Sequence, residues 1–181
     1  MSKLLDIWRA GRVMRWHVNP HLCETRDPDD GHAARVTLMA LSLIPDMSRE
    51  GIIHALTHDL GEHATGDMSY MVKVKNPKTA AEIAEMERAA ITSLGFNQPQ
   101  LSEKEISIVK LCDWLDAWLW MAHHVPHLRN RSDWIEQKTN AEGLARGLGV
   151  WPQVSASIAA FEAEHQPANA GEAYREVEAT A

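Results

Sequence analysis

Cysteine is scarce: Cys23 and Cys112 are the only two in 181 residues. That excludes a disulfide framework, and neither sits in the C-x-x-C spacing of a zinc knuckle. Positive charge is short as well, with 18 lysines and arginines against 25 acidic residues and a net charge of −7. A basic face supplies most of the affinity for duplexes and anionic bilayers, so no nucleic acid polymer and no membrane is expected as a partner. A small anionic substrate stays open, because a few local cations can serve it. No apolar run approaches the ~18 residues needed to cross a bilayer. The start, Met1-Ser2-Lys3-Leu4-Leu5-Asp6, meets an acid too early for a signal peptide. The expectation is a reduced, cytoplasmic protein. Strand periodicity is missing too, and that points to an all-α fold.

What is present reads as helices. Leu4, Leu5 and Trp8 give a short first helix with Ser2 as its N-cap. Residues 11–31, with Pro20, Pro28 and Gly31, form a long loop, and loops of that length are usually functional. Helical spacing then runs from His32 to Leu43. Ser48 caps a third helix that reaches Asp59 and is broken by Gly61. A second loop covers 61–78. Thr79 to Leu94 is amphipathic and stopped by Gly95. Ser102 and Glu105 make a capping box for the strongest helix, Glu103 to His124. Its Leu111–Ala122 stretch is apolar nearly all round and belongs in the core. Helices from Asp133 to Gly147 and from Pro152 to Glu164 follow. One domain over 1–165 and a loose tail over 166–181 complete the division.

Ten histidines and seven tryptophans stand against two tyrosines and two phenylalanines. Among the histidines, His58 is followed directly by Asp59 at the end of an apolar helix. A carboxylate buried there needs a cation or hydrogen bonds, and imidazole beside carboxylate is half of a divalent-metal site. The other half must come from distant segments. His32 follows the acidic run Asp27-Pro28-Asp29-Asp30-Gly31, and Asp113 and Asp116 share one face of the buried helix. One of that pair is a ligand candidate, the other the holder of a structural hydrogen bond. His54 and His63 lie four residues from His58 and Asp59 respectively and raise the question of a second metal, although a solvated helix face and a loop contact account for them better.

In this order the residues resemble the H…HD…D signature of HD-domain phosphohydrolases. Arg15-Trp16, the run His58-Asp59-x-x-Glu62 and then Gly66-Asp67 look like the 5′-deoxynucleotidase branch. Arg15-Trp16-His17-x-x-Pro20, Gly31-His32 and Lys73 are similar to phage members that act as dATP triphosphohydrolases. The likeness spans roughly residues 8–122. Gly31 departs from it, standing where the family has glutamate. The resemblance implies the compact helical HD-domain fold, and it places the last ligand at Asp113 rather than Asp116.

His32, His58, Asp59 and Asp113 would then hold one divalent ion. Cobalt, manganese, zinc, magnesium and iron all suit nitrogen and oxygen donors. Glu62, a turn beyond His58, would orient or deprotonate a water, or else support a ligand. Asp67 would position that water, bind a sugar hydroxyl or protonate the leaving oxygen. Arg15 offers a fork for phosphate and Lys73 a mobile charge, with Lys75 as its competitor. Trp16 is placed to stack a base, with Val18 beside it. The expected substrate is a small-molecule deoxynucleotide, dATP first and a deoxynucleoside monophosphate second. A non-catalytic nucleotide-binding regulatory module, a structural helical protein and a two-iron oxygenase are the readings from other classes. A homo-oligomer is expected, because Trp114, Trp118 and Trp120 exceed what one buried helix face needs.

Overall fold

The computed structural model describes residues 3–97 and 100–165. Ser2 and the 166–181 tail lie outside the described residues. The fold is all-α and forms a single domain: α1 (Lys3–Ala10), α2 (Asp29–Leu43), α3 (Arg49–Thr57), α4 (Tyr70–Lys75), α5 (Pro77–Ser93), α6 (Glu103–His124), α7 (Ser132–Gly147) and α8 (Trp151–Glu164). Two 3-10 turns, Leu60–His63 and Pro126–Asn130, lie between them. Among the described residues no strand forms; Met14 and Pro28 make an isolated bridge.

The local signals explain where most helices start. Ser102 Oγ accepts from the Glu105 amide, and the Glu105 carboxylate accepts from the Ser102 amide, so the capping box is complete. Ser48 caps α3 by accepting from the Gly51 amide at 2.9 Å. Glu105 also accepts from the Ser48 amide at 3.0 Å, which ties the starts of α3 and α6 together. These hydrogen bonds from Ser48 and Ser102 hold its carboxyl down at about 2.

α6 is the axis of the domain. α2 and α3 pack on it from one side and α7 from another, with α8 against α7. Val36, Leu111 and Met121 are fully buried, and burying a side chain of this kind contributes about 1.5–3 kcal/mol relative to exposure. The reading of Leu111–Ala122 as a core segment holds. Of the α6 tryptophans, Trp114 and Trp120 are half-buried and pack against the core. Trp118 is buried, Trp120 donates to Thr25 Oγ1 at 2.9 Å, and the Arg35 guanidinium lies over its ring.

Three boundaries differ from expectation. α2 begins at Asp29, not His32, because Gly11 O and Val13 O accept from the Asp30 and Asp29 amides at 3.0 Å and cap it from outside. His32 therefore stands a turn inside the helix. Gly61 does not break α3, which ends at Thr57. Instead it lies in the 3-10 turn, where a Cβ would fall 2.5 Å from the Glu87 carbonyl oxygen of α5. The expected 61–78 loop holds part of that turn and all of α4, and α5 starts at Pro77, whose missing N–H and fixed φ suit a first helical position.

Candidate metal centre

α3 ends immediately before the dyad, leaving its last carbonyls free to accept. His58 Nδ1–H donates to one of them, Ala55 O, at 2.9 Å. A carbonyl cannot donate, so Nδ1 carries a proton, and Nε2 is the ring atom left to face the carboxylates. His32, fully buried on α2, is fixed in the same way from the opposite side: Nδ1–H donates to Asp116 Oδ2 at 2.7 Å. Its Nε2 lies 3.4 Å from both Asp59 Oδ2 and Asp113 Oδ1, without hydrogen-bonding alignment to either. His58 Nε2 is likewise buried and unpartnered, 3.4 Å from Asp59 Oδ2.

Donor atoms of His32, His58, Asp59 and Asp113 all fall within 4.8 Å of one another. Two imidazole lone pairs and two carboxylates aimed at one point form a group that can hold a metal ion. The donor chemistry fits: burying two ring nitrogens without partners is costly, and a cation between them and the carboxylates removes the cost. Orienting each ring through its far nitrogen is the usual support for a histidine ligand. Without an ion, burial opposes the His32 imidazolium, but Asp113 and Asp116 outweigh it and push the ring up to about 9. A metal would replace that proton. Burial also opposes the charge of Asp59, yet His58 and Arg15 hold its carboxyl below the usual range.

Asp116 is the structural member of the α6 pair. Besides His32 it meets Arg35, whose Nε donates to Asp116 Oδ1 at 2.7 Å and whose Nη2 donates to Asp27 Oδ1 at 2.8 Å. Fully buried Asp27 also accepts from Trp16 Nε1 at 3.2 Å. Neither Asp27 nor Arg35 was singled out from the sequence. The available signal was Arg35 three residues after His32, one helical turn along the same face.

The remaining site residues are brought to the same region, except Val18, which is exposed. Arg15 is held in carboxylates: Nη1 donates to Asp59 Oδ2 at 2.8 Å, and Asp27 and Asp113 stand at 3.6 and 4.0 Å. Trp16 is half-buried, packed near Trp134 with ring centroids 5.9 Å apart, and Arg15 lies over its ring. Its φ of 64° is left-handed, a conformation that costs an L-residue roughly 1–2 kcal/mol. Asp67 Oδ2 accepts from the Trp16 amide at 2.8 Å and holds this turn. Lys73 stands 3.7 Å from Glu62 and 3.7 Å from Glu87. His54 is half-buried and His63 exposed, and neither belongs to a metal-ligand group among the described residues.

Glu62 is buried, with Oε2 unpartnered. Burial first, then Asp59 and Asp67, push its carboxyl up to about 10. Asp29, read from sequence only as part of an acidic run, is 2% exposed with neither oxygen partnered. Burial and Asp59 push it up to about 8. Seven carboxylates (Asp27, Asp29, Asp59, Glu62, Asp67, Asp113 and Asp116) thus share this region with three fixed cations, Arg15, Arg35 and Lys73. No family model, curated protein or solved structure matches the chain.

Proposed function

We propose that the protein is a metal-dependent phosphohydrolase of the HD-domain type that acts on deoxynucleotides, with dATP as its substrate and deoxynucleoside and triphosphate as products. The observation that carries the reading is the convergence of two buried, unpartnered Nε2 atoms with Asp59 and Asp113. The order of these residues in the chain supports the phosphohydrolase class. When bound, the divalent ion would supply Lewis acidity toward a phosphoryl oxygen and make water more acidic. Two nitrogen and two oxygen donors suit cobalt, manganese, zinc, magnesium or iron.

The chain's own residues would do the rest. Glu62, buried beside Asp59, takes or gives a proton at the water or the leaving oxygen. Asp67, through the Trp16 amide, keeps Arg15 and Trp16 in place at the rim. Lys73, a third exposed, meets incoming phosphate, and Arg15 offsets charge as phosphate approaches Asp59. Trp16 contributes to the base side of the site. One observation favours a deoxynucleoside monophosphate instead: Arg15 and Lys73 are both already engaged by carboxylates. We also propose a homo-oligomer, to be tested by light scattering; the exposed Tyr70, Met71 and Val74 of α4 support it.

The test is a panel of deoxynucleoside triphosphates, deoxynucleoside monophosphates and ribonucleotides with added manganese or cobalt, read by phosphate release and chromatography. Faster attack on dATP than on ATP is expected. Turnover of all deoxynucleoside monophosphates without attack on dATP would replace the triphosphohydrolase by a nucleotidase. Tight binding of metal and nucleotide without turnover would leave a regulatory module.

A further inference from the structure

We propose that Asp27 and Arg35 are positioning residues that hold the Arg15–Trp16 turn in register with the metal centre, Asp27 serving the nucleotide side and Arg35 both sides. The inference rests on the reading of the site as a deoxynucleotide phosphohydrolase. Asp27 is fully buried, although it lies in the segment between α1 and α2 rather than in a helix. A carboxylate so placed is costly unless its oxygens are met, and they are met from two different quarters. Oδ2 accepts from Trp16 Nε1 at 3.2 Å and stands 3.6 Å from Arg15 Nε, whereas Oδ1 accepts from Arg35 Nη2 at 2.8 Å. Arg35 carries the connection on: Nε and Nη2 donate to Asp116 at 2.7 and 3.0 Å, and Asp116 accepts from His32 Nδ1 at 2.7 Å. An unbroken chain of hydrogen bonds thus runs from the indole of Trp16 to the ring whose Nε2 faces Asp59 and Asp113.

The backbone gives the chain something to hold. The Arg15 amide donates to Asp27 O at 2.9 Å and closes the segment between them. Just inside that closure, Trp16 and Arg26 both adopt left-handed conformations, with φ of 64° and 52°, each unfavourable for an L-residue. A turn strained at both ends persists where its surroundings over-determine it. Here Asp67 grips the Trp16 amide and Asp27 the indole. Arg35 suits its part by shape: a planar fork reaches two carboxylates at once, with the Trp120 ring against its face. Lysine, a point charge on a flexible stem, does not reproduce that fork.

The test uses the full-length protein with manganese, reading KM and kcat on the nucleotide that the wild type turns over fastest and manganese affinity by calorimetry. Asp27→Asn keeps the shape but leaves one acceptor for two donors. It should raise KM about tenfold, the worth of one hydrogen bond to a charged group, with kcat and manganese affinity unchanged. Arg35→Lys keeps the charge, yet it should raise KM and also weaken manganese binding roughly tenfold. Trp16→Phe combined with Asp27→Asn should cost less in KM than the two single losses together, because both act on the same bond. A wild-type KM in Asp27→Asn, additive losses in the double variant, or wild-type KM and manganese affinity in Arg35→Lys overturns the inference and leaves the hydrolase standing. If circular dichroism shows Asp27→Asn unfolded, Trp16→Phe and Arg35→Lys decide, and an unchanged KM in both overturns it. A wild type that turns over no nucleotide removes the functional reading and this inference with it.

Discussion

Buried polar atoms without partners occur in two regions of this domain, and they differ in kind. On the α2–α3 side of α6 they are the donor Arg15 Nε and five atoms that can accept once deprotonated: His32 Nε2, His58 Nε2, both Asp29 oxygens and Glu62 Oε2. On the α7–α8 side they are Trp118 Nε1, Trp134 Nε1 and Arg129 Nε, which are donors. An isolated indole N–H left without an acceptor is a small loss on a ring that buries a large apolar area. Converging acceptors are a different matter, since they repel one another and only a cation or protons can occupy the space between them. The first region can hold a cation, and the second serves packing.

The strongest way to break this comparison is His58→Ala. Removing one of four donors should lower metal affinity by more than the roughly 10–100-fold that supporting residues command, and phosphate release should fall with it. Calorimetry with manganese checks the first and the nucleotide panel the second; unchanged affinity would mean that the acceptors converge for another reason. Next comes Asp116→Asn, which keeps the shape behind His32 but removes the charge that Nδ1–H and Arg35 meet. A loss of about 10–100-fold in metal affinity is expected with helix content intact.

Gly61→Ala acts on the backbone of the same region. Its methyl would meet the α5 backbone at Glu87, and overpacking of this sort costs typically 1–3 kcal/mol. For a domain of this size that is a fall of about 2–4 °C in Tm per kcal/mol, measured by thermal denaturation. The smallest effect on metal binding belongs to the other region. Trp118→Phe removes a donor that has no acceptor; the smaller ring should lower stability by roughly 1–3 kcal/mol and leave metal affinity unchanged, as urea melts and calorimetry would show. A large loss of metal binding in that variant would erase the distinction between the two regions.

Much of this was legible in the chain, for local reasons. The Ser102–Glu105 box names the start of α6, because a cap needs only residues three apart. The dyad and His32 stand out by residue type and order, and their meeting with Asp113 follows that reading. The resemblance put the ligand at Asp113 rather than Asp116, and Asp116 lies behind His32, bonded to its Nδ1. Asp27, Asp29 and Arg35 were not legible. Arg35 meets Asp116 across 81 residues of sequence, and no local pattern announces such a pair. Asp29 looks like a solvated first-turn acid, well placed for the helix dipole. It is buried because the 11–28 segment folds back to cap α2.

The sequence by itself determined an all-helical chain, the caps that start α3 and α6, and the residue types able to hold a cation, since these depend on spacings of a few residues and on side-chain chemistry. Only the tertiary structure decided which nitrogen of His32 and His58 faces inward, that Asp116 stands behind His32 with Arg35, and that Asp29 is buried. Those outcomes depend on burial and on partners supplied by other helices. A carboxylate's character follows from the groups that surround it, and those groups come together only when the chain folds.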